Sequence, residues 1–393
     1  CSPNPLANDI LLVMKTGATE VSAKVPIHLT TTFTCTPDYL VFSDVAETFE
    51  GIEILDALEH LPEYIDKERQ PDEWRFYSKL QDISHSLPDN HNRSAFENLG
   101  KEGVDEAWKL DKFKNMPMLH KSYELHPNKS WYVFVDADSS ILFSTLLTWL
   151  AKFDHNKPYY MGSQNLIGDM EFGHGGSGYV LSSAAVRILA KEDAESKLKH
   201  NKWAMETCCG DLTVANALLD HDVHLTRSWP MIQGETPASL DYGDNHWCHP
   251  AVTFHHMSTE EIEAVWHYEQ NHLLAGTRTP TFGDVFEAFV AHNITDERDG
   301  WDNLCTDEII ERHDDMSERD RLAIESFEGC REACLEMRDC FQFNFDRRAK
   351  MCGLSRTMRL GKKKGGKRSG WNLARIERYR EEHKKCKMEW IKP

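Results

Sequence analysis

The stretch Trp131-Tyr132-Val133-Phe134-Val135-Asp136-Ala137-Asp138 constrains the fold more than any other part of the chain. Its apolar, β-branched and aromatic run reads as a buried strand. The run ends in two carboxylates one residue apart. In an extended chain, residues i and i+2 point to the same side, so both carboxylates can turn toward one point. Carboxylates at the mouth of a buried sheet are costly unless a cation or a set of donors meets them. A hard divalent ion carrying a diphosphate meets that need. The pattern therefore points to an enzyme that handles a nucleotide-activated substrate.

At 393 residues the chain can hold one large domain or two. Its formal net charge of −19 argues against duplex nucleic acid as a partner. The basic run Lys362-Lys363-Lys364-Gly365-Gly366-Lys367-Arg368 is a local exception, and like charges in series predict a solvated loop. No apolar run reaches the roughly 18 residues that a transmembrane helix needs. The chain opens on Cys1 and not on a methionine, so it reads as a trimmed or mature portion without its signal or anchor segment. Six of the eleven cysteines crowd the end: Cys305, Cys330, Cys334, Cys340, Cys352 and Cys386. That density fits an oxidising compartment. Zinc is the rival, disfavoured because no CxxC and no second close ligand pair is present. Three glycosylation sequons, at Asn92, Asn128 and Asn293, agree with secretion.

Ile10–Met14 reads as a first buried strand running into the turn Lys15-Thr16-Gly17, and Tyr39–Phe42 as a second ending at Ser43-Asp44. Residues 105–125 have helical spacing, with Trp108, Phe113, Met116, Leu119 and Tyr123 on one apolar stripe and a kink expected at Pro117. Strand–helix alternation of this kind predicts an α/β fold with a mostly parallel sheet covered on both faces. Ligands in such sheets sit beyond the carboxyl ends of strands, where Lys15, Asp44, Asp136 and Asp138 all fall. A glycine-rich block, Gly173 to Gly178, precedes a short strand, and a helix starts at Asp211. The composition turns polar between Asn293 and Asn303, which predicts two domains, 1–300 and 301–393. In the second, Ser326 opens a helix carrying Cys330 and Cys334 on one face, and Phe341, Phe343 and Phe345 alternate as a strand.

Each chemical reading has a plain structural rival. Asp136 and Asp138 can cap the following helix. An Asp-x-Asp after an apolar strand also occurs in haloacid-dehalogenase-type phosphatases, with the first Asp as nucleophile. Here, however, at least two strands precede the motif, and Ser140 stands where that pattern has Thr or Val. Asp211, in Cys208-Cys209-Gly210-Asp211-Leu212-Thr213, is either a helix N-cap or a general base, and backbone donors would lower its pKa. His255 ends the apolar run Ala251–Phe254; it is either a structural histidine or part of an oxygen-rich site suited to manganese.

Taken in order, these blocks resemble glycosyltransferase family 31, which includes Fringe and the core 1 β1,3-galactosyltransferases. The likeness rests on Val13-Met14-Lys15-Thr16, Val41-Phe42-Ser43-Asp44, Trp108-Lys109-Leu110-Asp111-Lys112-Phe113, the Asp136/Asp138 strand, Gly175-Gly176-Ser177-Gly178-Tyr179, Gly210-Asp211-Leu212-Thr213 and Phe254-His255. Two departures stand out: Ala137 lies where the family often has an acid, and Gly210 replaces the first acid of an Asp-Asp pair. The resemblance implies a GT-A fold, a type II anchor upstream, the Golgi lumen, and inverting β1,3 transfer of galactose or N-acetylglucosamine from a UDP-sugar to a glycan or glycoprotein acceptor. It implies that Asp138 and His255 bind Mn2+, with Asp136 at the ribose or the ion, and that Asp211 takes the acceptor proton. Lys15, Thr16, Asp44 and Lys112 would line the nucleotide pocket, and Gly175, Gly176 and Ser177 would lie near the donor sugar. The last 90 or so residues resemble a PAN/Apple module, as in the family's fungal members. That likeness implies bridges Cys334–Cys340, Cys330–Cys352 and Cys305–Cys386, and a pairing of Cys208 or Cys209 with Cys248 is a guess. The alternative reading is a secreted, catalytically inactive protein that binds glycan or protein through this module.

Overall fold

The computed structural model describes residues 1, 4–86, 93–276, 278–385 and 387–392. Its residues fall into two compact units. The larger comprises Cys1–Gly234, Val252–Thr277 and Ile391–Pro393, and the smaller Glu235–Ala251 and Arg278–Trp390. Position 300, where the polar composition suggests a cut, lies inside the smaller unit.

The strands of the larger unit are β1 (Ile10–Lys15), β2 (Tyr39–Ser43), β3 (Glu47–Phe49), β4 (Ile52–Asp56), β5 (Trp131–Asp136), β6 (Ser140–Ile141), β7 (Tyr160–Gly162), β8 (Gln164–Ile167), β9 (Met170–Gly173), β10 (Tyr179–Ser182), β11 (Leu225–Arg227) and β12 (Thr253–Phe254). Eight of them form one sheet in the order β11-β7-β10-β5-β1-β2-β4-β3. Its centre, β5-β1-β2-β4, is parallel throughout. β1 and β5 carry uninterrupted apolar runs because helices cover both faces, and Leu11, Leu12, Val13 and Met14 are wholly buried. Each such side chain contributes about 1.5–3 kcal/mol of transfer free energy. β1 lies between β2 and β5 in parallel register, with Lys15 opposite Phe42 on one side and Asp136 on the other. The carboxyl ends of all three strands therefore open at one edge, where a doubly covered sheet binds its ligands.

The single helix expected over residues 105–125 is two helices, Val104–Asp111 and Asn115–Leu125. The break precedes Pro117, which sits in the first turn of the second helix, where its missing N–H costs nothing. Phe113, Met116 and Leu119 are buried, but Trp108 is 64% exposed and leaves the stripe.

The smaller unit is built on an antiparallel sheet of β13 (Glu297–Asp302), β14 (Glu308–Ile310), β15 (Gln342–Asp346), β16 (Met351–Ser355) and β17 (Lys362–Trp371), in the order β13-β17-β15-β16-β14. Helix Phe327–Glu336, capped by the Ser326 side chain, is stapled to the sheet by Cys330–Cys352, and Cys334–Cys340 closes its end. Phe343, Phe345 and Leu354 fill the core beneath. Two sequence expectations fail here. Cys305 is a buried free thiol, so the bridge to Cys386, itself outside the described residues, is not made. The basic run from Lys362 is strand, not solvated loop, because β15 and β13 supply both flanks of its ladder.

In the larger unit Cys1 pairs with Cys35. Cys208 and Cys209 bridge each other, so neither pairs with Cys248, which is itself disulfide-bonded. Among the sequons, Asn128 is exposed, Asn293 is partly buried, and Asn92 lies outside the described residues. Among the described residues no helix is long and apolar enough to cross a membrane.

Candidate active site

A cavity of about 780 Å³ opens at the carboxyl ends of β1, β2 and β5, and Lys15, Thr16, Asp44, Asp136 and Asp138 line it. Its floor is an ion network. Lys15 pairs with Asp111 and lies 3.3 Å from Asp136. Lys114 lies 3.1 Å from both Asp44 and Asp111 and donates to the Thr16 carbonyl at 2.9 Å. Asp44 also accepts from the Ala18 N–H at 2.7 Å. Burial pushes the Lys15 ammonium toward neutrality, but Asp111 and Asp136 outweigh it and raise its pKa. Burial likewise opposes ionisation of Asp111, yet Lys15 and Lys114 hold its carboxyl at about 2. The floor is thus a set of fixed charges, with paired lysines facing a space of nucleotide size.

Lys112 is not part of this lining. It turns away to Glu73, 3.3 Å distant. The lysine that faces the cavity is Lys114, only 2% exposed in its side chain. Asp111 and Lys114 lie three residues apart at the helix break, a spacing that brings them together without announcing which lysine turns inward.

Asp138 does not continue β5; it lies in the turn after Asp136, so strand alternation does not set its direction. Asp136 faces Lys15, whereas Asp138 faces His255 (3.3 Å) and Lys24 (3.3 Å). The short antiparallel pair β6–β12 explains this convergence. It sets Phe254 opposite Ser140, so the residue after β12 meets the turn before β6. The Met257 N–H donates to the Asp138 carbonyl at 2.9 Å and closes the loop. His28 is buried, which lowers its pKa to about 4, and its Nε2 bonds the Ala137 carbonyl inside the same turn.

Beside Asp138 and His255 stands a residue the sequence reading missed. His256 adopts φ +58°, a left-handed conformation uncommon outside glycine. Its ring lies 3.9 Å from that of His255, centroid to centroid. Asp138, His255 and His256 each offer one ligand atom, and these atoms lie within 4.8 Å of one another. One carboxylate and two imidazoles suit a divalent transition ion. His255 Nδ1 is buried and without a hydrogen-bond partner among the described residues, and burial opposes ionisation of Asp138 while His255 and Lys24 hold its carboxyl well below the usual range. The donor set therefore fits a metal. Asp136 stands outside the three-residue cluster.

The glycine block joins this cluster to Asp211. The Gly175 N–H donates to Asp211 Oδ2 at 2.7 Å. A Cβ on Gly176 would lie 2.2 Å from His255 Cε1, so only glycine lets the ring approach. Ser177 fixes the block through its carbonyl, which accepts from Thr253 Oγ1 at 2.7 Å. Asp211 sits inside the first turn of helix Gly210–Leu219, whose N-cap is Cys209, so it is not the cap residue. Its carboxyl is pushed up by burial; the Gly175 N–H and Lys15 offset only part of the shift. Backbone donation is thus the weaker effect, contrary to the sequence expectation, and the group is a better base than an exposed aspartate. Gly210 has its own steric reason, because a Cβ there would lie 2.7 Å from the Lys112 carbonyl.

His174 is a second residue without a sequence signal. Its Nδ1 accepts from the Ser177 N–H (3.2 Å), which leaves the proton on Nε2. Burial lowers its pKa, against the pull of Asp211. Its ring is 5.6 Å from that of His255, centroid to centroid, so it lies beside the Asp138, His255 and His256 group.

Residues 94–231 match the Fringe-like family model. No curated protein matches the chain. The matched span holds the Asp136/Asp138 strand, the glycine block and Asp211, and the Fringe-like family has the GT-A fold.

Proposed function

We propose that the chain, of which residues 94–231 match the Fringe-like family model, is an inverting, manganese-dependent glycosyltransferase of family 31. It transfers a hexose, galactose or N-acetylglucosamine, from a UDP-sugar to a hydroxyl of a glycan or glycoprotein, with a β1,3 linkage. The observation that carries this reading is the glycine block, which holds Asp211 through one residue and abuts His255 with the next.

Asp211, deprotonated and shielded from water, takes the proton of the acceptor hydroxyl. Lys15 and Lys114 offer positive charge to the nucleotide side of the cavity. Asp138, His255 and His256 would hold the cation; when bound, it offsets the charge growing on the departing UDP. Fixing acceptor and donor in line removes much of the entropic barrier. With the base opposite the leaving group, one displacement inverts the anomeric carbon, the face-to-face logic of inverting glycosidases. Disulfides in both units support a lumenal, secretory-pathway site of action, and we place the smaller unit with PAN/Apple-like modules.

The test is UDP release from several UDP-sugars with and without manganese, on the wild type and on Asp211→Asn. Manganese-dependent release that the variant loses supports the proposal. A wild type that releases UDP from no donor, or a variant that keeps its rate, overturns it.

A further inference from the structure

Lys24 takes no part in the reaction proposed for the cavity, yet it holds one side of the carboxylate at the candidate metal site. The two oxygens of Asp138 are divided: Oδ1 lies 3.3 Å from His255 Nε2, and Oδ2 lies 3.3 Å from Lys24 Nζ. On its other side the ammonium lies 3.0 Å from Glu20 Oε1, one helical turn away. Glu20, Lys24 and Asp138 all line the cavity. The backbone fixes this placement. Lys24 ends helix Val21–Lys24, and helix Pro26–Thr30 follows after one residue. From that second helix His28 Nε2 bonds the Ala137 carbonyl at 2.8 Å. The stretch that carries Lys24 is thereby tied to the turn that carries Asp138.

The charge of the site gives this lysine its meaning. Asp138, His255 and His256 together bring one negative charge at most, and the Lys24 ammonium already balances it. Asp136, the neighbouring acid, is met by Lys15 at 3.3 Å. A divalent ion entering alone therefore finds little negative charge and a like charge on the same carboxylate. Hard-cation affinity follows the charge of the ligand set, so such an ion is held weakly. A diphosphate reverses the balance. It brings several negative charges, and phosphate oxygens are the ligands that a small divalent ion takes beside one or two carboxylates. Lys24 is also the lysine able to respond. Lys15 and Lys114 are buried among carboxylates in the cavity floor, whereas the Lys24 side chain is 31% exposed. An ion pair this open to water costs little to break. The flexible lysine stem lets the ammonium turn from a carboxylate to a phosphate oxygen while the backbone stays in place.

Resting on the metal-dependent transferase reading, we propose that Lys24 couples the cation to the nucleotide: its ammonium competes with a free divalent ion for the Asp138 carboxylate and passes to a phosphate oxygen when UDP is bound. The site then takes a metal–nucleotide pair in preference to the metal alone. Linkage makes the coupling reciprocal, so UDP tightens the cation by the factor by which the cation tightens UDP. Lys24 is a positioning residue in this scheme and gains a direct contact with the diphosphate. Glu20 steadies the ammonium at the cavity rim, on the side away from Asp138.

The experiment measures Mn2+ binding by the full chain, with and without UDP, from the electron paramagnetic resonance signal of the free ion. Calorimetry gives UDP affinity at saturating Mn2+. In the wild type UDP tightens Mn2+ binding. Lys24→Met moves the two affinities in opposite directions: Mn2+ alone binds more tightly, and UDP at saturating Mn2+ binds more weakly. The factor by which UDP tightens Mn2+ falls about ten-fold, within the usual range of coupling between sites. Lys24→Arg keeps the charge and most of the coupling. A lysine that only props the turn would, on removal, weaken Mn2+ alone as well as UDP. A Lys24→Met variant that binds Mn2+ alone no more tightly than the wild type overturns the proposal, as does one that keeps the wild-type coupling or a Lys24→Arg variant that loses as much as Lys24→Met. Each of these leaves the transferase reading standing, because the wild type still binds Mn2+ with UDP. A wild type that binds no Mn2+ even with UDP overturns the metal-dependent reading and the proposal together.

Discussion

Lys114 and Lys363 belong to regions of the molecule that use the same side chain in opposite ways. Lys114 is 2% exposed in its side chain and is met by Asp44, Asp111 and the Thr16 carbonyl. Lys363 stands on β17 in water, with no carboxylate against it among the described residues. A buried ammonium survives only when carboxylates and carbonyls replace its lost hydration; an exposed one needs nothing and remains available to a ligand. Burial, and not residue type, separates a lysine that holds the fold and the cavity floor from one that is free to bind.

The largest expected effect is in the larger unit. Asp211→Asn should cut transfer about 10²–10⁴-fold, the range of general-base catalysis, with UDP affinity retained. Its melting temperature should hold or rise, because burial works against the charged carboxylate; a large drop would mean that Asp211 is chiefly structural. Next comes Lys114→Met, which leaves Asp44 and Asp111 short of a partner. Breaking a buried pair in this way costs about 3–5 kcal/mol, and denaturant unfolding measures it. A change under 1 kcal/mol in that experiment, by the same principle, would erase the contrast drawn above.

Asp138→Ala should weaken manganese-dependent UDP binding by more than the about 10–100-fold that loss of a metal ligand's outer-shell partner costs. His256→Ala should do so to a smaller degree, and an unchanged calorimetric affinity would remove that residue from the cluster. The pH profile sharpens the base assignment. Burial raises the folded-state pKa of Asp211 above the ordinary 3.8, so activity is full at high pH and falls as pH drops through that raised value. For stability the sign is reversed: the neutral form is favoured, and its contribution is present below the ordinary value and lost as pH rises through the folded one. An acid limb centred at or below 3.8 would contradict the burial argument. The smallest effect is Lys363→Met, expected within about ±0.5 kcal/mol of wild type in stability, as for surface positions generally.

Much of the site was legible because it sits in local patterns. The β5 run, the glycine block and the apolar first strand each carry their meaning within ten residues, and the Fringe-like match spans two of them. The errors arose where a neighbour in sequence is not a neighbour in space. Lys112 and Lys114 look equivalent on paper, but the helix break turns one to Glu73 and the other to Asp44. The Asp-x-Asp pair was read by strand parity, yet Asp138 has already left the strand and answers to β12, more than a hundred residues later.

From sequence alone came the α/β class, the strand ends that bear Lys15, Asp44 and Asp136, and the candidacy of Asp211 and His255. Tertiary structure alone decided that His174 and His256 join them, that burial outweighs backbone donors at Asp211, that Cys208 bonds Cys209, and that a basic run becomes a strand. The reason is range. Periodicity and turn chemistry are set by a residue and its near neighbours, whereas charge state, metal geometry and strand pairing depend on groups that only folding brings within a few ångströms.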